Sequence, residues 1–120
     1  MTNSLNLSII EGRVTRTPDL LYTKNGNAMC KFDLAVNEYY KTDNDYKTIT
    51  SFITINLWGK YAESITQYLE QGTPVRVQGS IRQNSWEDKD GNKHSDLYIN
   101  ASAVDFLDWN KSTQQEKINA

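Results

Sequence analysis

A chain of 120 residues is close to the commonest size for one compact domain and is long enough to fold without metals or disulfides. Its one cysteine, Cys30, excludes an intrachain disulfide framework and a cysteine-based zinc site, and makes a reducing intracellular compartment the default. A net charge of −2 excludes a strongly basic nucleic-acid coat, although a local patch can bind what the whole chain does not.

The amino-terminal MTNSLNLSIIEGR has no basic region ahead of a long apolar run, and no segment approaches a membrane span. A soluble, unprocessed protein with no membrane partner is expected. LNLSIIEGRVT then reads as a first strand that alternates through Leu5, Leu7 and Ile9 and shifts phase to Ile10, Gly12 and Val14, which predicts a bulge or bend near Ile9 and Ile10. Pro18 and Asn25-Gly26 mark a turn-rich connection into a second strand, AMCKFDLAVNEYY. There Ala28, Cys30, Phe32, Leu34 and Val36 share one face, and Met29, Lys31, Asp33 and Ala35 the other.

The polar, acidic KTDNDYK is a hairpin connection into the third strand, TSFITINLWGK. Its two-residue period puts Ser51, Ile53, Ile55 and Leu57 on a core face and Thr50, Phe52, Thr54, Asn56 and Trp58 on a polar one carrying two large rings. Ala62, Ile65 and Leu69, flanked by Tyr61 and Tyr68 and ended by Gly72 and Pro74, predict one helix of about three turns. The fourth strand, PVRVQGSIRQNSW, turns Val75, Val77, Gly79 and Ile81 inward and Arg76, Gln78, Ser80, Arg82, Asn84 and Trp86 outward. Asp90-Gly91 marks a hairpin tip before the fifth strand, LYINASAVDFL.

Five strands with one helix between the third and fourth is the element order of the OB-fold, an all-β Greek-key barrel. The expected organisation is a single OB-fold domain over residues 1–109, followed by a short disordered tail at 110–120 that lacks apolar periodicity.

The chemistry lies on the outward registers. Phe52 and Trp58 on one strand, Trp86 with Arg76 and Arg82 on another, and Tyr39 or Tyr40 at the end of the second strand put several rings among cations. Single-stranded nucleic acid requires that combination, since every base stacks on an aromatic face for about 1–3 kcal/mol while Lys and Arg neutralise the backbone. Outward rings also cap barrels and fill protein interfaces, so that alternative stands beside it. Other features carry less. Asp88, Asp90 and Asn92 resemble the start of a calcium loop, but Ile99 stands where its last carboxylate belongs. His94 has no second metal ligand or nucleophile nearby, and Cys30 falls on a core face. No catalytic residue, metal or cofactor is predicted.

Five pieces in order, LNLSIIEGRVTRTPDLLY, NGNAMCKFDLAVN, LWGKYAESITQYLEQGTPVRVQGSI, Trp86 to Gly91 and AVDFL, resemble the bacterial single-stranded DNA-binding protein family from about Leu5 to Leu107. The resemblance implies a non-enzymatic OB-fold protein that binds single-stranded DNA in replication, recombination and repair. It further implies a homotetramer, with a dimer as the smaller possibility, a cytoplasmic, nucleoid-associated location, and replication and repair proteins as partners. By motif position the stacking rings are Tyr40, Phe52, Trp58 and Trp86. Lys60 and Arg82 match positions commonly cationic in the family, and Tyr22 a frequent aromatic; Arg76 joins them from its register.

Departures from the family pattern are Glu11 for an apolar residue, Thr15 for Gly, and Gln71 and Ser85 where Lys is frequent. They predict few phosphate contacts and a shallow salt dependence, about −0.7 in log affinity per neutralised phosphate. The chain ends QQEKINA without the family's acidic tail, as a naturally tailless or a shortened form would, which weakens the expected protein partnerships. Two other readings stay open: an OB-fold replisome or primosome accessory whose rings form a protein interface, and an OB-fold nuclease.

Overall fold

The computed structural model describes residues 2–109; the tail expected from Asn110 onward lies outside the described residues. Six strands, β1 (Ser8–Val14), β2 (Leu20–Tyr22), β3 (Ala28–Lys41), β4 (Tyr46–Trp58), β5 (Pro74–Glu87) and β6 (Lys93–Phe106), form one sheet in the order β1-β5-β6-β4-β3-β2. β1 pairs with β3 as well as with β5, so the sheet closes on itself as a five-stranded barrel, with β2 as a short addition to β3. This is the OB-fold. β2 falls in what the sequence marks only as a turn-rich connection. Its turn is the expected one, with Gly26 at φ +83 and Thr23 and Asn27 hydrogen-bonded across it.

The alternating residues of the strands make the core. Cys30, Phe32 and Leu34 of β3, Ile55 and Leu57 of β4, Val75 and Val77 of β5, and Ile99 and Val104 of β6 are buried together with Val14 and Leu69. Each large aliphatic side chain in such a core contributes about 1.5–3 kcal/mol by leaving water. Burial also raises the Cys30 thiol pKa, through desolvation above all, against the lowering effect of the Thr66 hydroxyl. Cys30 is therefore a neutral filler.

β1 differs from expectation. Its ladder with β5 runs without a shift from Ser8↔Gly79 to Arg13↔Pro74, and the only irregularity in that region lies between β5 and β6 at Gln78/Gly79. No bulge is needed at Ile9 and Ile10, because Ile10, Gly12 and Val14 hold the inner phase throughout while Leu5, Leu7 and Ile9 stay exposed. Just before the strand, the Asn6 side chain donates to the Ile81 carbonyl at 2.7 Å and accepts from its N–H at 2.9 Å, standing in for one more backbone rung.

The helix is shorter than its apolar spacing predicts. α1 (Gly59–Ile65) is followed by a 3-10 turn at Thr66–Tyr68. The buried Thr66 hydroxyl donates to the Ala62 carbonyl at 2.6 Å, and the Leu69 N–H reaches back to Thr66, which tightens the last turn and lets Leu69 leave in extended conformation into the core. Tyr61 holds α1 to β6: its hydroxyl accepts from the Val104 N–H at 2.6 Å.

Closure demands two tight approaches. A side chain at Gly12 would strike the Ala35 carbonyl, and one at Gly79 the Asn100 carbonyl. Both obstacles are backbone and cannot swing away. Gly79→Ala is therefore expected to lower stability by about 1–3 kcal/mol, the usual result of overpacking, read as a reduced denaturation midpoint.

Candidate nucleic-acid interface

The β3–β4 ladder pairs every residue from Met29↔Trp58 to Lys41↔Tyr46 with no shift. Opposed residues of an antiparallel pair point to the same side, so Phe52, Thr54, Asn56 and Trp58 share the outer face with Ala35, Asp33, Lys31 and Met29. Contacts agree with that count: the Thr54 hydroxyl donates to Asp33 at 2.9 Å, and that of Thr50 to Asn37 at 2.7 Å. Phe52 is 67% exposed and Trp58 43%. The polar face read from the sequence is thus an open surface with two rings on it.

β5 and β6 extend that surface. Their hairpin sets Arg82 opposite Tyr98, Asn84 opposite Asp96 and Trp86 opposite His94. β6 in turn runs parallel to β4 at Ile55↔Ile99 and Asn56↔Asn100. The two faces meet in a cavity of about 230 Å³ lined by Lys31, Thr54, Asn56, Trp58, Asn84 and Tyr98, together with Asp96 and Leu97. Beside it Asn56 Oδ1 is buried without a donor among the described residues. A second, more apolar cleft of about 410 Å³ opens between Phe52, Ile81, Leu97 and Tyr98. Ile81 keeps the inner phase opposite the buried Ile99, but it stands at the barrel's rim and is exposed rather than enclosed.

Trp86 sits on the β5–β6 arm and is 44% exposed. His94 stacks on one of its faces, with ring centroids 5.3 Å apart and planes 19° apart. Asp88 anchors His94 by a 2.8 Å contact to Nε2 and accepts the N–H groups of Asp90 and Asn92. His94, for which the sequence offers no second metal ligand or nucleophile, is the cross-strand support of a ring.

The remaining sequence-predicted residues are dispersed. Lys60 lies in the first turn of α1, two residues after Trp58, and is exposed. Arg76 lies ten residues from Trp86 along β5, and its guanidinium donates to the Glu11 carboxylate at 2.7 Å. Tyr22 lies opposite Ala28, so it takes the side that Leu20 and Cys30 share, while Leu21 takes Trp58's. Tyr40 pairs with Lys47, one step out of phase with Phe52. Tyr98 and Lys31 are on the face without having been singled out. Counting outward from the Asp90-Gly91 tip would have placed Tyr98 across from Arg82. Among the described residues, no three His, Cys, Asp or Glu side chains gather as a metal site would require.

An OB barrel that sets exposed rings and cations along one open sheet face has the form of a nucleic-acid-binding domain. The chain belongs to the single-strand binding protein family, whose sequence model matches residues 5–107. It is 39% identical over 103 residues to a single-stranded DNA-binding protein of Treponema pallidum, a match covering 86% of this chain and 58% of that relative's length. It is 36% identical to single-stranded DNA-binding protein 2 of Clostridium acetobutylicum, over 96% of this chain and 86% of that one. A solved complex of the Plasmodium falciparum protein with single-stranded DNA superposes with a TM-score of 0.80 at 28% identity, covering 90% of this chain and 99% of that chain.

The Trp86 support has a pH signature. The Asp88 carboxyl is held below its ordinary value of 3.8, first by His94 and then by the Asn92 N–H. A depressed carboxyl contributes its stabilisation above the unfolded value and loses it as pH falls through the folded one. In a variant keeping Trp86 as its sole tryptophan, Trp86 emission should show a step below pH 3.8, where Asp88 takes up its proton. Asp88→Asn should abolish that step.

Proposed function

We propose that this protein binds single-stranded DNA with little sequence preference, stacking bases on Phe52, Trp58 and Trp86 while Lys60 and Arg82 neutralise phosphates. The observation that carries this reading is the shared outer face of Phe52 and Trp58, continuous with that of Arg82 and Trp86 across the cavity at Asn56. Every base has a π-face, so stacking accepts any sequence. Lys31 and Tyr98 belong to the same surface and join the set. Tyr22, Tyr40 and Arg76 complete the proposed contacts from its margins. Arg76 carries the smallest share, because Glu11 already balances its charge.

Acting stoichiometrically, the protein would occupy exposed single strands, prevent hairpins and reannealing, and hold the template for replication, recombination and repair in the cytoplasm and nucleoid. Assembly as a homotetramer, or as a dimer, is supported by the exposed apolar residues Leu5 and Leu7 ahead of β1 and Ile9 within it, which suit contact with a second copy better than water. Replication and repair proteins are the further partners.

Titration with oligo(dT) should quench tryptophan fluorescence in a salt-sensitive way. Trp58→Ala and Trp86→Ala should each weaken binding about 5- to 150-fold, the loss of one stacked base. The slope of log affinity against log salt should stay shallow, at about −0.7 for each phosphate neutralised. No quenching and no gel shift at low salt would overturn the reading.

A further inference from the structure

We propose that His94 is a phosphate-binding residue at the Trp86 end of the face, donating to single-stranded DNA from the ring nitrogen that gains a proton, so that binding takes up a proton from water. The inference rests on the DNA-binding reading above and adds a contact to it. The carrying observation is the geometry of one imidazole. His94 Nε2 lies 2.8 Å from the Asp88 carboxylate, and an ionised carboxylate only accepts, so Nε2 carries the hydrogen. Asp88 remains a carboxylate throughout the histidine range, because its pKa is lowered from an ordinary value of 3.8, by His94 above all. In the neutral ring Nδ1 is then a bare acceptor, which offers nothing to a phosphate oxygen. Protonation turns Nδ1 into a donor and leaves the Asp88 bond in place. The His94 side chain is 45% exposed, so a ligand can reach it.

Charge around the ring supports the assignment. On the Trp86 side of the β5–β6 ladder, Trp86↔His94 is followed by Asn84↔Asp96 and Arg82↔Tyr98. The next cation along that side is therefore Arg82, four residues and about 13 Å from Trp86, whereas Asp88 and Asp96 stand to either side of His94. Glu87 and Lys93 oppose each other on the other side, and Lys89 lies between Asp88 and Asp90 in the tip. A strand stacked at Trp86 thus passes carboxylates without a matching cation while His94 is neutral. A proton on His94 offsets one of those negative charges and adds a donor beside the ring that holds the base. Both neighbours accommodate the charge: Asp88 as a counterion, and the Trp86 indole, stacked at 5.3 Å, because an aromatic face attracts a cation within about 6 Å. Histidine is the one side chain whose ordinary charge change falls between pH 5 and 8, and the chain has a single histidine. Side-chain proton uptake in that range therefore reports on one residue.

The test measures affinity for oligo(dT) as a function of salt at about pH 5.5 and about pH 7.5, a window in which neither thymine nor the phosphodiester changes charge. It compares the intact protein with His94→Gln and His94→Arg, with circular dichroism to check folding; the α-amino group, which titrates at about 7.7–8.0, is common to all three. Acidification should raise the wild-type affinity about two- to fivefold, the strength of an exposed ion pair. It should also steepen the slope of log affinity against log salt by about 0.7, the mark of one further phosphate neutralised. His94→Gln should show neither change, and His94→Arg, a permanent cation, should keep the steeper slope at both pH values. A His94 that only props the indole would leave the wild-type slope the same at both. Equal wild-type slopes, or a steepening that persists in His94→Gln, overturns the proposal while leaving the stacking rings in place, and the wild-type comparison decides even where a substitution disturbs the arm. Failure of the unaltered protein to bind oligo(dT) at either pH overturns the DNA-binding reading itself, and the proposal with it.

Discussion

The thirteen-pair ladder between β3 and β4 is the constraint on which the rest of the structure depends. Because side chains alternate, a slip of one residue would turn one strand over, carrying either Cys30, Phe32 and Leu34 of β3 or Ile55 and Leu57 of β4 into water and bringing Lys31 and Asp33, or Asn56, into the core. The cost of that exchange, several buried aliphatic side chains at about 1.5–3 kcal/mol each, leaves the register no near competitor. The outer face is fixed by the same choice. Phe52 and Trp58 are on it because their neighbours in sequence are needed inside, so core stability and the proposed binding surface are two consequences of one pairing.

Closure makes that face a single surface instead of separate ribbons. β1 reaches both β3 and β5, and the barrel tightens where Gly12 and Gly79 let backbones approach closer than any side chain allows. The parallel contact of β4 with β6 is only two pairs long, so the β5–β6 arm leaves β4 just above Asn56. The cavities beside Asn56 and Phe52 lie in that divergence. A longer β4–β6 ladder would have filled it. The barrel's geometry, more than any one side chain, therefore provides room for a base beside Trp58.

Much of this was legible in the sequence, for reasons that individual elements make clear. TSFITINLWGK carries a strict two-residue alternation, and the structure follows it residue for residue, since one face is buried and the other solvated. Where both faces of a strand carry apolar residues, period alone misleads. LNLSIIEGRVT reads as a phase shift because Leu5, Leu7 and Ile9 look like core, yet Ile9 is an outer residue of a regular strand and Leu5 and Leu7 lie exposed ahead of it. The short helix escaped because apolar spacing does not register a buried threonine hydroxyl competing for the Ala62 carbonyl. Glu11, a departure from the family pattern, becomes intelligible only when β1 is set beside β5 and Arg76. Pairings across the barrel were the part the chain order could not supply. His94 belongs to the same class, since its partner Trp86 is found only by folding the hairpin.

Charge bears on how such a face can work. Glu11 balances Arg76, and Asp33 and Asp96 stand on the same sheet face as Lys31 and Arg82. Net attraction for a phosphate chain is therefore modest, in keeping with an overall charge of −2. Binding on this surface must draw mainly on the rings, because stacking is not screened by salt as a charge is. Ring spacing then governs how a strand is held. Rings set by a ladder are placed at fixed intervals along rigid strands, whereas lysines on long flexible stems are not. A surface that depends on stacking is thus tolerant of base identity but sensitive to register.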